Sequence, residues 1–355
     1  MKFRGDIWFS GCYYFPVLDG IKTNYFNNIN YSKLNYTNEN DTNFTHHYKN
    51  DPGRMVGGWG GLEGKLYVDY SCIAPFFRGD NFLISDNKIN FKFKFELSPV
   101  SLSAGLEFVL TPVAFFQFYA GVMLGSGWNI GFNGLGRNNT DGRIKDKPQK
   151  VLAENFYGVV IKNWFILRLQ FDLAAVMPIN YKRWTHIILL AISKFERLEL
   201  TNVDSTQPYE WENDGGKRMN GWYLYSDFLV GYQIPVIEDR RKQDAENKTF
   251  LGYVRHNDFS IYMFMLLQIY GLHITHFSDS MIKDRGWGSD FVSLRFGPTI
   301  YLTLPNNFYA FIGFNFLNDI TYTDDSIGNL SYMKRKYDNW YVYFGIILLT
   351  FGYSF

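Results

Sequence analysis

Lys88-Ile-Asn-Phe-Lys-Phe-Lys-Phe-Glu-Leu97 alternates without a break, with Ile89, Phe91, Phe93, Phe95 and Leu97 on one side and Asn90, Lys92, Lys94 and Glu96 on the other. A period of two is the mark of an extended strand with one oily and one ionic face. The pattern recurs in Leu62 to Ala74, where Leu66, Val68, Tyr70, Cys72 and Ala74 oppose Glu63, Lys65, Tyr67, Asp69 and Ser71. It returns in Val100 to Leu110, which carries Glu107, in Phe165 to Ala175, with Arg168 and Asp172 on the polar side, and in Val292 to Leu304, with Arg295 there. Asp227 falls on the polar side of a further segment.

Composition agrees with an all-β chain. Aromatic residues make up 19% of the 355 residues and glycine numbers 32, yet the 46% hydrophobic content is dispersed. A helical membrane protein would gather that content into runs of about 20 residues. The longest apolar stretches, such as Ile187 to Ile192, are far shorter. With 35 basic and 34 acidic residues the net charge is +1, which offers no field for nucleic acid, so no nucleic-acid partner is expected. Cys12 falls on a polar register with Arg4, Asp6 and Ser10, whereas Cys72 falls on an apolar one. Side chains on opposite faces of a wall do not form a disulfide.

Connections alternate between short turns, at Thr111-Pro112, Met177 to Asn180 and Pro305 to Asn307, and long polar loops, at about 17–57, 128–155, 200–219, 272–288 and 319–339. One short rim and one long rim are the pattern of a membrane-spanning up-and-down β-barrel. With both termini on the short rim, twelve strands are expected, at about 1–16, 58–76, 88–97, 99–111, 113–127, 155–176, 180–199, 219–235, 250–270, 289–304, 307–319 and 340–355. Ten or fourteen remain open. The sixth strand requires a bulge near Lys162-Asn163-Trp164, and the charged stretch Ile237 to Lys248 stands where a short turn is expected. The tryptophans at 8, 59, 128, 164, 184, 222, 287 and 340 fall near strand ends, where amphipathic rings form interfacial girdles.

The closing segment, Trp340 to Phe355, sets Phe351, Tyr353 and Phe355 on one face and finishes on an aromatic ring. In this it resembles the bacterial outer-membrane β-barrel proteins. The resemblance implies a single barrel domain over residues 1–355, outer-membrane lipid and the barrel-insertion machinery as partners, and a C-terminal signal in Phe351, Tyr353 and Phe355. It also implies export. Asp6 interrupts the first apolar residues, so an export signal is expected to have been removed or to lie upstream.

Three functions follow from these residues. Glu63, Lys65, Asp69, Lys92, Lys94, Glu96, Glu107, Arg168, Asp172, Asp227 and Arg295 would line a lumen of mixed charge, the wall of a narrow pore for small polar solutes. The alternative is a surface-exposed adhesin or structural barrel with a closed lumen, working through its loops. The third is a lipid hydrolase. His276-Phe-Ser278-Asp279 resembles the His-x-Ser motif of outer-membrane phospholipase A and of the barrel deacylases that trim lipid A, which implies Ser278 as nucleophile and His276 as base. His46-His47 lacks further spaced ligands, and the glycine-rich runs near Trp59 and Trp128 stand in no βαβ unit, so no metal or cofactor is expected. Oligomeric state leaves no mark in the sequence, because lipid-facing and subunit-facing apolar surfaces look alike.

Overall fold

The computed structural model describes residues 1–14, 61–81, 83–130, 134–138, 151–177, 186–203, 209–212, 220–237, 260–271, 292–323 and 336–355. Twelve strands close into one antiparallel barrel. Around the wall run β1 (Lys2–Tyr14), β2 (Gly61–Pro75), β3 (Lys88–Leu97), β4 (Ser101–Val113) and β5 (Phe116–Gly127). The chain then leaves the wall for β6 (Leu135–Asn138) and β7 (Val151–Ala153), and returns with β8 (Val160–Asp172) and β9 (Ile187–Leu200). After another excursion through β10 (Tyr209–Trp211), β11 (Gly221–Ile237), β12 (Ser260–Gly271), β13 (Val292–Thr303), β14 (Phe308–Thr323) and β15 (Lys336–Ser354) complete the circuit.

Closure rests on the pairing of β15 with β1, from Asp6 opposite Ser354 to Tyr14 opposite Ile346. Gly5 and Phe355 exchange two backbone hydrogen bonds, each 2.8 Å. The Phe355 ring lies so close over Gly5 that a Cβ there would stand 2.1 Å from it, so glycine is what lets the last ring cover the seam. Inside the seam Arg4 donates to Asp6 at 2.7 Å, Ser354 donates to Asp6, and Ser10 and Thr350 share a hydrogen bond of 3.1 Å.

Which face points outward is settled by neighbours such as Leu106, 60% exposed, and Glu107, 6% exposed. Phe3, Tyr70, Phe91, Phe93, Phe165, Phe228 and Phe351 are exposed, while Asp69, Glu107, Asp172 and Glu196 are buried. An apolar exterior around a closed, charge-lined interior is the arrangement of a barrel whose outer solvent is lipid.

All twelve expected strands are present, with changes at their ends. The bulge near Asn163 is absent: β8 pairs with β9 in unbroken register from Val160 opposite Leu200 to Asp172 opposite Ile188. The strand stops at Asp172, whose carboxylate accepts from the Ala174 amide and caps a 3-10 turn, Leu173–Ala175, so no extra residue has to be absorbed. Thr111-Pro112 belongs to β4, and the turn falls on Ala114-Phe115 instead. Asn306 and Asn307 make the expected tight turn with φ of 59° and 64°, a conformation asparagine tolerates. The expected loop at 319–339 is shorter, because β14 runs to Thr323 and β15 begins at Lys336. Trp8 and Trp164 sit inside the barrel, Trp8 stacked on Tyr67 at 5.1 Å, and so take no part in an interfacial girdle. No disulfide joins Cys12 and Cys72. The long first loop, the Met177 to Asn180 turn beyond Met177, and the charged stretch after Ile237 lie outside the described residues.

Candidate functional site

Period two and antiparallel register place the inner charges in rows across the strands. One row runs Lys92, Glu107, Gly121, Trp164, Glu196. Lys92 and Lys94 stand 3.4 and 3.7 Å from the Glu107 carboxylate, and the Trp164 indole donates to it at 3.1 Å. The indole reaches across because Gly121 lies beneath it, where a Cβ would be 2.2 Å from the ring. Further round, Lys162 and Lys194 both pair with Glu196, Lys162 at 3.4 Å. Buried carboxylates in a low-dielectric wall must find cations or donors, and these do.

Asp69 lies 4.0 Å from Lys94. Asp227 is hydrogen-bonded by Gln268 and faces Arg295 and Lys194. Arg168 donates to the Tyr119 hydroxyl at 3.4 Å, and Asp172 holds the His186 ring at 2.7 Å. Glu63 sits opposite Cys12 across the β1–β2 ladder. Phe351 and Phe355 are exposed on the outer wall, and Trp340 pairs with Ile320 along β15.

Lys65 occupies a different setting. Its ammonium is 2.8 Å from Glu96 on the neighbouring strand and 2.7 Å from Glu212, which belongs to no barrel strand. Glu212 follows β10, and its carboxylate also accepts from the Ser101 hydroxyl at 2.6 Å. Strands β10, β6 and β7 form a separate three-stranded sheet. Leu135, Tyr209 and Trp211 from that sheet pack with Val160, Leu198, Leu200 and Tyr223, all on the inner face of the barrel, in one buried cluster. Trp211 lies over Gly125 on β5. The sheet therefore sits inside the loop-side mouth, greased against β8, β9 and β11 and pinned by charge to β2 and β4.

Burial works to raise the Glu212 carboxyl, but the Lys65 ammonium, with hydrogen bonds from Lys65 and Ser101, holds it below the usual carboxylate range. The tether is thus a charged one. The sequence pattern did not single out Glu212, Leu135, Tyr209, Trp211 or Gly121. The available signal was the set of large apolar side chains inside otherwise polar loops.

His276, Ser278 and Asp279 lie outside the described residues. No group of three or more potential metal ligands occurs among the described residues.

The fold and its inner wall define a transmembrane β-barrel with a sheet lodged in its mouth. No family model matches the chain, and comparison with curated proteins finds no match. Among solved structures it is similar to LpxR from Salmonella typhimurium, at 8% identity over 98% of this chain and 99% of that one, with a TM-score of 0.36.

Proposed function

We propose that the chain is an integral protein of the bacterial outer membrane whose lumen is closed on the loop side by its own three-stranded sheet, leaving the loop surface and the outer wall as its working faces. The observation that carries this reading is the anchor of Glu212 on Lys65 and Ser101, opposite the apolar packing of Leu135, Tyr209 and Trp211. One side of the sheet is held by an ion pair and the other by an apolar seal. The inner charges below it are paired with one another, which supports a filled wall over a hydrated conduit. In this reading the partners are outer-membrane lipid and, through the terminal Phe355, the barrel-insertion machinery.

One observation favours keeping a gated form of the narrow pore for small polar solutes as a second reading. Lys65 keeps Glu96 when Glu212 departs, so the sheet can undock without stranding a buried ammonium. Swelling of liposomes in small sugars separates the two. A closed barrel leaves swelling at the protein-free rate, and replacing residues 134–153 and 209–212 by flexible linkers of equal length raises it. Rapid swelling with the intact chain would count for the pore. Catalysis by Ser278 and His276 stays a proposal from the motif alone, and unchanged phospholipid turnover in a Ser278→Ala variant would end it.

A further inference from the structure

The same register that builds the inner rows builds one on the outside, where Tyr70, Phe93, Leu106, Val122, Asn163, Arg197 and Trp222 succeed one another across seven strands. A parallel row passes from Phe91 through Phe108 and Ala120 to Phe165. Ala120 is the small residue between two phenyl rings, and the wall is hollowed there. The resulting furrow has a volume of ≈ 850 Å³ and is lined by these two rows together with Cys72 and, between the rows, Lys92, Glu107 and Gly121.

Its two ends differ in chemistry. Arg197 and Trp222 lie near the loop-side ends of β9 and β11, Arg197 three residues before Leu200. Tyr70 and Phe93 lie deeper in the wall. Neighbouring strands are about 4.8 Å apart, so six steps from Tyr70 to Trp222 cover about 29 Å. With strands tilted by about 40°, that row descends about 18 Å through the bilayer. A slot running from a guanidinium at the interface to phenyl rings in the hydrocarbon has the polarity and reach of a lipid.

The polar end is also built for an anion. The Arg197 side chain is 46% exposed, and among the described residues its ion pair is with Glu199, 2.6 Å from Nη2, a contact that engages one end of the planar fork. Guanidinium groups take phosphate oxygens in pairs. Asn163 adds an amide beside it, and Trp222, stacked on Phe195 at 4.8 Å, supplies the amphipathic ring that suits the headgroup level. An arginine on a lipid-facing wall is tolerated near the interface and costly at the midplane.

We infer that this furrow is a binding site for a lipid of the surrounding leaflet whose phosphate headgroup carries net negative charge, the headgroup on Arg197 and Asn163 and an acyl chain laid along Val122, Ala120 and Phe93. The site is on the outer wall and does not depend on whether the lumen is closed.

Native mass spectrometry of the detergent-extracted barrel, titrated with dipalmitoyl phosphatidic acid or dipalmitoyl phosphatidylcholine, tests it. The intact protein retains phosphatidic acid at a concentration at least tenfold lower than phosphatidylcholine. Arg197→Ala abolishes that preference, and Ala120→Phe, which fills the furrow, weakens retention of both lipids at least tenfold. Glu199→Gln frees the guanidinium and strengthens phosphatidic acid retention severalfold, a gain that misfolding does not produce. Leu349→Trp, on the outer face of β15, changes nothing. Inorganic phosphate at the same concentrations leaves the lipid bound. Equal retention of the two lipids by the intact protein, a preference that survives Arg197→Ala, unchanged retention in Ala120→Phe, or displacement by inorganic phosphate would each overturn the assignment.

Discussion

Replacing Lys65 by Met takes the ammonium from between two carboxylates, Glu96 at 2.8 Å and Glu212 at 2.7 Å, in a site where all three side chains are at most 21% exposed. Breaking a buried ion pair from one side costs about 3–5 kcal/mol, because the remaining charge is stranded. Residual exposure screens these groups, which favours the lower end, about 3 kcal/mol. At 1.4 kcal/mol per factor of ten, the undocked sheet becomes about a hundredfold more populated. Glu212→Gln behaves differently, for it keeps a hydrogen bond to Ser101 and leaves Lys65 with Glu96. Its cost is that of one charge-assisted hydrogen bond made neutral, about 1–1.5 kcal/mol, or about tenfold. Hydrogen exchange at the Glu212 amide, which donates to Gly134 at 2.8 Å, and at the β6 and β10 amides reads both changes directly. Adding Lys65→Met to a Glu96→Gln, Glu212→Gln background costs little more, since no carboxylate is left to strand. Equal exchange in the intact chain and Lys65→Met, or faster exchange in Glu212→Gln than in Lys65→Met, would refute the tether.

Three further outcomes follow from the same geometry. Because the folded Glu212 carboxyl titrates below its unfolded value, its stabilisation is present above the ordinary carboxylate range, about pH 4.3, and is lost as pH falls through the lower folded value. Protection of the β6 and β10 amides, their exchange taken against the intrinsic rate at each pH, therefore falls at acid pH in the intact chain, and Glu212→Gln flattens that component of the response. Trp164→Phe removes a donor from the buried Glu107 and lowers barrel stability by about 1–2 kcal/mol, read as a shift in the thermal transition of gel mobility, whereas Gly121→Val displaces the whole indole and costs more. Gly5→Val evicts the Phe355 ring from the seam and lowers the refolded yield, and Phe355→Leu lowers it less.

The twelve strands were legible because each presents a run of period two long enough to see, and because burial on one side only makes that period strict. Lys92, Lys94 and Glu96 alternate with Phe91, Phe93 and Phe95 in that period, and the ladder sets Lys92 beside Glu107 and Lys94 beside Asp69. The inserted sheet was not legible. Its strands are three or four residues long, too short for any period, and Leu135, Tyr209 and Trp211 are held by contacts with strands distant in sequence. Trp164 misled for a related reason. Its position near a strand end suits a girdle, but Gly121 opposite it opens an inward berth, and only the register shows that they meet. The outer furrow likewise depends on register, because Ala120, Phe108 and Phe165 become neighbours only when three strands are aligned.

Single-channel recording of the refolded chain in a planar bilayer, at several salt concentrations, tests the closed lumen most directly. With folded protein the membrane stays silent, and steps that scale with salt appear once residues 134–153 and 209–212 are replaced by flexible linkers. Stable, salt-dependent steps from the intact chain, unchanged by that replacement, would contradict it.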